Sequence, residues 1–391
     1  MSGSFMLLRG TALLLLLWIA RAGDGAPADD PPPIDWDRAR QLHQRDLRGE
    51  KLSDQDRAYL ERARAARRAG QGARPGSRPA GQPSTAPAGP LTPLCDLAGE
   101  ARYKGLAGGL YGDGRNDPPE AHAKAAMKES AKIVPLDGDG KPAAGGKVAM
   151  MSIGMSNTTQ EFSRFVQLAQ RDPDKSPSLV IVDAAQGGRD AADWADADRG
   201  KAVWAEADRR LAASGGTPQQ VQVVWIKQAL KGPARLGEFP DHARQLQRNL
   251  ADILVLAKSR YPNLRLAYLS SRTYAGYAAT PLNPEPHAFE SAFSVRWVIE
   301  QQLKGDVALN WDQTKGPVRA PLVLWGPYLW ADGPRGRKTD DLLYRREDFA
   351  PDGTHPSDSG RQKVADLLLR FFRNDPTSKG WFMRPDAGAA K

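Results

Sequence analysis

The sequence predicts a doubly wound α/β domain, with a parallel five-stranded sheet covered by helices on both faces. Two observations carry this. Five short apolar runs recur at 147–153, 178–184, 220–226, 264–269 and 321–325. Each is followed by a longer segment with helical spacing of its apolar residues. Strands apolar on both faces, alternating with amphipathic helices, build a parallel sheet buried on both sides. Ligands of such folds sit beyond the carboxyl ends of the strands. Chemistry is therefore sought just after each run.

The elements follow in order. KVAMMSI (147–153) leads into a helix over 158–170, with Phe162, Phe165, Val166 and Leu168 on one side. SLVIVDA (178–184) precedes an Ala-rich amphipathic helix over 191–213. QVQVVWI (220–226) precedes a helix over 241–258 that carries Leu246, Leu250, Ile253, Leu254 and Leu256. LRLAYL (264–269) precedes a helix over 288–303, and PLVLW (321–325) precedes a closing helix over 359–373.

Residues ahead of this domain differ in texture. Arg9 and the apolar stretch Ala12–Ala20 form a basic and then a hydrophobic region, too short to span a bilayer. Ala20-Arg21-Ala22 matches a small-x-small cleavage site, so residues 1–22 read as a signal peptide cut between Ala22 and Gly23. A secreted or periplasmic protein without a stable membrane anchor is expected. Residues 23–70 read as a short helical arm, with helix starts at Asp35 and Ser53 and a turn at Gly49. Residues 71–92, rich in Pro, Gly, Ser and Ala without periodicity, read as a flexible linker. The domain is expected over 93–375 and a tail over 376–391.

Composition narrows the function. The chain has 391 residues, 40% of them hydrophobic and 26% charged, an ordinary globular balance. Its net charge of +9 is spread among acidic residues, with no basic run interleaved with aromatics and no nucleic-acid motif. Cys95 is the single cysteine, so no intrachain disulfide supports the fold. There is no His-Glu-x-x-His and no cysteine pair, and Asp137-Gly138-Asp139-Gly140 lacks the distal Glu of a calcium loop. Neither a metal nor a cofactor is expected. Oligomeric state is not legible.

Five histidines can be weighed singly: His43, His122, His242, His287 and His355. Only His355, in Asp352-Gly353-Thr354-His355-Pro356, has an acid three residues back across a Gly-containing turn. That spacing lets Asp352 reach Nδ1, fix the tautomer and leave Nε2 to take a proton. A nucleophile is offered by Gly154-Met155-Ser156-Asn157, at the end of the first apolar run. Gly154 permits a sharp turn, and the Ser156 N–H then opens a helix, where an oxyanion is stabilised. A competing reading is that Thr158-Thr159-Gln160-Glu161 is a capping box and that Ser156 or Asn157 only begins the helix.

Together, a Ser after the first strand and Asp-x-x-His before the last helix resemble the SGNH hydrolase superfamily, over roughly residues 93–375. The Gly-x-Ser-Asn turn is similar to that of its sialate O-acetylesterase-like and carbohydrate-esterase members. The resemblance implies a flavodoxin-like sheet and a Ser156–His355–Asp352 triad. It implies oxyanion donors at the Ser156 N–H, at Gly187 or Gly188, and at an amide side chain after the third strand. The usual Gly-x-Asn-Asp is missing there, and Gln228 stands in its place. Asn157, Arg272, Tyr274, Trp325 and Tyr328, near the same strand ends, are candidate substrate contacts. Asn157 also belongs to a formal glycosylation sequon, expected to be buried beside Ser156.

The expected activity is an exported serine esterase that removes acetyl or other small acyl groups, on an acylated carbohydrate. The alternative is a non-catalytic SGNH-like glycan-binding module, favoured by the missing third block.

Overall fold

The computed structural model describes residues 91–384 and, in the N-terminal arm, residues 34–35, 38–39, 41–42, 45 and 52–70. The expected signal peptide, the turn at Gly49 and nearly all of the expected linker lie outside the described residues. The chain divides into two compact units, Met1–Arg78 and Pro79–Lys391.

In the first unit, helix α1 spans Asp54–Gly70. Ser53 Oγ accepts from the Asp56 N–H at 3.1 Å, which satisfies one of the amides a helix start leaves open. Leu42, Leu52 and Leu60 bury against one another beside Tyr59.

The second unit is built on one sheet. A small hairpin, β1 (Arg102–Tyr103) and β2 (Leu106–Ala107), and helix α2 (Glu120–Ser130) precede it. Then come β3 (Val148–Gly154), α3 (Ser156–Arg171), β4 (Leu179–Val182), α4 (Ala191–Ala195) and α5 (Lys201–Ala213). β5 (Val221–Lys227), α6 (Asp241–Arg260), β6 (Leu266–Leu269) and α7 (His287–Leu303) continue the alternation. β7 (Leu322–Trp325), α8 (Asp358–Asn374) and α9 (Pro376–Phe382) complete it. The five central strands are all parallel, in the order β4-β3-β5-β6-β7. This is the expected doubly wound, flavodoxin-like sheet, and the chain reverses its direction of winding at β3.

Each strand feeds two cores by simple alternation. Ala149, Met151 and Ile153 of β3, with Val221, Val224 and Ile226 of β5, face one layer, which α4, α5, α6 and α7 cover. Val148 and Met150, with Val223 and Trp225, face the other, where Phe162 and Phe165 of α3 meet Val364, Leu368 and Phe372 of α8. Phe162 stacks on Trp225 with ring centroids 5.4 Å apart. So α3 and α8 lie side by side on one face.

Two expectations are corrected. The helix expected over 191–213 is broken at 196–200, where Asp196 accepts from the Asp198 and Arg199 N–H groups and bends the chain. The closing unit does not end at 375: Asp375 caps α9, and Trp381 and Phe382 are buried in the second core, so the expected tail is structural through this helix. Helix α2 buries His122, Ala126, Glu129 and Ser130.

β5 ends in an unusual residue for a core strand. Lys227 is fully buried and ion-paired with the equally buried Glu161 of α3. Burial pushes the ammonium down to about 8, against the pull of Glu161 and with the push of Arg272. Removing one member of such a pair strands a charge, whereas replacing both with apolar groups is far better tolerated. Lys227→Met is expected to lower unfolding free energy by about 3–5 kcal/mol, and adding Glu161→Leu to recover most of that loss, as read by urea denaturation.

Candidate active site

The turn at Gly154–Ser156 is shaped by a close approach. A Cβ at Gly154 would come within 2.3 Å of the Thr158 side chain, so only glycine lets the chain leave β3 and enter α3 here. Thr158 itself donates to the Lys227 carbonyl at 2.7 Å, tying the first turn of α3 to the end of β5. The residue before the helix, Met155, caps it with no side chain. The capping box does not form, since Thr158 lies inside the helix and donates to Lys227, but the helix does begin at Ser156, as that reading had it. The first-turn N–H groups, which have no intrahelical acceptor, are left for an anion.

A second anchor holds the β4 end against α3. The Asp183 carboxylate accepts from Ser152 Oγ and Ser163 Oγ, each at 2.7 Å, and from Thr159 Oγ1. Burial raises its pKa, and these three hydroxyls oppose the rise. Asp183 was not singled out from sequence; its only signal is an acid at the end of an apolar strand.

The Asp352–His355 loop folds by local hydrogen bonding. Asp352 Oδ1 accepts from the Thr354 and His355 N–H groups, both at 2.9 Å, while Oδ2 lies 2.6 Å from His355 Nδ1. Burial alone would raise the Asp352 pKa, but the His355 side chain and these two amides hold it far below the usual carboxylate range. An ionised carboxylate only accepts, so Nδ1 carries the proton and Nε2 is left as the acceptor. Gly353 has φ +64°, and a Cβ there would collide with the Tyr277 carbonyl at 1.7 Å. That contact seats the turn on the loop after β6. Glu285 fixes this loop by accepting from Ala275 N, Phe289 N and Trp330 Nε1.

These two loops converge. Ser156 Oγ lies 2.9 Å from His355 Nε2. The side-by-side packing of α3 and α8 sets this distance: Phe165 and Phe372 ring centroids are 5.6 Å apart, and Arg164 Nε donates to Gln362 Oε1 at 2.7 Å. His355 precedes α8 by only three residues. The His355 side chain is 30% exposed and that of Asp352 39%, so the site opens to solvent.

The remaining candidates divide. Gly187 is exposed and adjoins Ser156, since a Cβ there would lie 3.8 Å from Ser156 Cβ. Gly188, at φ +76°, has no such neighbour and offers its carbonyl to Lys231 Nζ. Gln228 is buried at the end of β5. Its Nε2 makes a long 3.4 Å contact with the Arg189 carbonyl, and its Oε1 accepts from Ala229 N. Tyr274 is half-buried, edge-on to Tyr277.

Four expected substrate contacts are corrected by burial. Asn157 is turned inward, as its sequon was expected to be, and its Nδ2 donates to the Thr354 carbonyl at 2.7 Å. It straps the histidine loop to α3 instead of meeting substrate. Arg272 is also inside; burial lowers its pKa, while Glu161 and Glu285 pull it back up. Trp325 donates from Nε1 to the Leu110 carbonyl, and the Tyr328 hydroxyl accepts from Leu94 N. Both aromatics pin the 91–116 segment to the sheet. They form no exposed platform.

Comparison with protein-family models finds no match, and neither does comparison with curated proteins. Among solved structures, that of "a putative acylhydrolase" from Bacteroides fragilis aligns over 65% of this chain and 97% of its own. The identity is 12% and the TM-score 0.34. A likeness that low carries no argument, and the fold assignment rests on the strand order and connectivity above.

Asn157 gives the sharpest local test. Asn157→Ala leaves the Thr354 carbonyl without its buried donor, a loss of about 1–3 kcal/mol by denaturation. Amide exchange of residues 352–356 is expected to quicken in the same variant, as measured by mass spectrometry.

Proposed function

We propose that this protein is a serine hydrolase acting on carboxylic esters, with Ser156 as nucleophile, His355 as base and Asp352 as its orienting acid. The observation that carries the proposal is the continuous chain Ser156 Oγ to His355 Nε2 at 2.9 Å and His355 Nδ1 to Asp352 Oδ2 at 2.6 Å, at the carboxyl edge of a parallel sheet.

The steps follow from the atoms. Ser156 Oγ attacks the ester carbonyl as its proton passes to His355 Nε2. The carbonyl oxygen becomes an oxyanion beside the amide N–H of Ser156 at the start of α3, with the Gly187 N–H as second donor. Collapse expels the alkoxide, which takes the proton back from Nε2 as the alcohol. Water then attacks the acyl-enzyme by the same route and frees the acid. Asp352 stays ionised throughout, held low by its hydrogen bonds. Its folded-state stabilisation is present above the usual carboxylate pKa and is lost as pH falls through its depressed value.

Within this reading, the substrate is a small acyl ester, acetyl first, on a hydroxyl-rich alcohol such as a carbohydrate. An open, half-exposed site suits a short acyl group on a large alcohol better than a long acyl chain, which needs an apolar tunnel. The leader-like residues 1–22 support an exported location. The long Gln228 contact to Arg189 is the observation that favours the rival, a glycan-binding module without turnover.

Turnover separates the two. Acetate release from acetylated xylosides and from 4-nitrophenyl acetate is expected for the wild type, with Ser156→Ala at background. Asp352→Asn is expected to lose about 10²–10⁴-fold in kcat through the wrong imidazole tautomer. Full activity in Ser156→Ala would refute the assignment; glycan binding with no hydrolysis would favour the rival.

A further inference from the structure

Away from Ser156, His242, His287 and Glu290 offer one ligating atom each, all within 4.8 Å of one another. His242 lies in the first turn of α6, and His287 and Glu290 in the first turn of α7. The two histidine rings are 4.7 Å apart, edge to face. No short motif announces this group, because the two helices are separate in sequence and are joined only by packing.

The hydrogen bonding of the group suits a cation. Glu290 Oε2 is 2.8 Å from His242 Nε2, and Oε1 accepts from the Tyr103 hydroxyl at 2.6 Å and Lys104 Nζ at 3.0 Å. His287 Nδ1 is buried with no hydrogen-bond partner. A histidine with an unpaired ring nitrogen, its ring 4.7 Å from a second imidazole and grouped with a carboxylate, is the observation that singles out this cluster.

We propose that His242, His287 and Glu290 bind one divalent transition-metal ion of the zinc type. Two imidazoles and a carboxylate form a three-ligand set that zinc accepts, with a fourth position for water. Calcium and magnesium ask for oxygen ligands, which two imidazoles do not supply. Glu290 binds through Oε2, exchanging its hydrogen bond with His242 for a bond to the metal. Tyr103 stays on Oε1 as an outer partner that orients the carboxylate. The Lys104 ammonium opposes the ion, and its side chain is 44% exposed, free to swing into solvent. The bound ion clamps the starts of α6 and α7 beneath the β1–β2 hairpin. Its role is to stabilise the fold.

The test uses tag-free protein stripped with EDTA and dialysed. Zn²⁺ is titrated by calorimetry and Co²⁺ by visible absorption, and thermal midpoints are read with and without Zn²⁺. Expected are one Zn²⁺ per chain, a raised midpoint and the visible bands of four-coordinate Co²⁺. His287→Gln, at a half-exposed and tolerant position, is expected to weaken Zn²⁺ binding by at least about tenfold and to abolish the Co²⁺ bands. Lys104→Ala is expected to tighten Zn²⁺ binding, a gain that damage to the fold does not mimic. No Zn²⁺ bound to the wild type, or equal affinity in His287→Gln, would overturn the proposal.

Discussion

Everything at the candidate active site depends on one packing contact, that of α3 against α8. Ser156 is the first residue of α3, and His355 lies three residues before α8. Phe162 and Phe165 on one helix, and Leu368 and Phe372 on the other, share the core beneath Trp225. Aromatic side chains of this size contribute much of a core's burial, and their edges interlock in few arrangements. With the two helices fixed side by side, their amino ends fall at the same edge of the sheet. A 2.9 Å contact between Ser156 and His355 then needs only the correct turn on each side.

Those turns are fixed by glycine and by buried polar groups. Gly154 and Gly353 stand where a side chain would strike Thr158 or the Tyr277 carbonyl. Thr158, Asp183 and Asn157 hold α3 to β5, β4 and the histidine loop in turn. The Lys227–Glu161 pair lies in the interior of the same helix–strand contact. Such groups add little net stability when paired and cost several kcal/mol when unpaired. Their effect is to penalise any other seating of α3 on the sheet.

The fold was legible because a parallel sheet buried on both faces writes itself as continuous apolar runs, and all five runs are the five strands. That Ser156, Asp352 and His355 would meet was legible because their relations are local: a turn after a strand, and an i to i+3 pair. What failed was the direction of side chains. Asn157, Arg272, Trp325 and Tyr328 stand at strand ends, where ligands are expected, but tertiary contacts turn each inward. The break at 196–200 depends on Asp196 bonding to its own backbone, which an Ala-rich helical pattern conceals. The grouping of His242 with His287 and Glu290 is a property of helix packing and leaves no trace in residue spacing.

The central claim is that Ser156 is an activated nucleophile because α3 and α8 deliver it to His355. The most direct measurement is to treat the protein with a fluorophosphonate probe and map the adduct by mass spectrometry. The account predicts a single adduct on Ser156 that disappears in a folded His355→Ala variant. A folded wild type with no adduct, or labelling of Ser156 that persists without His355, would contradict it.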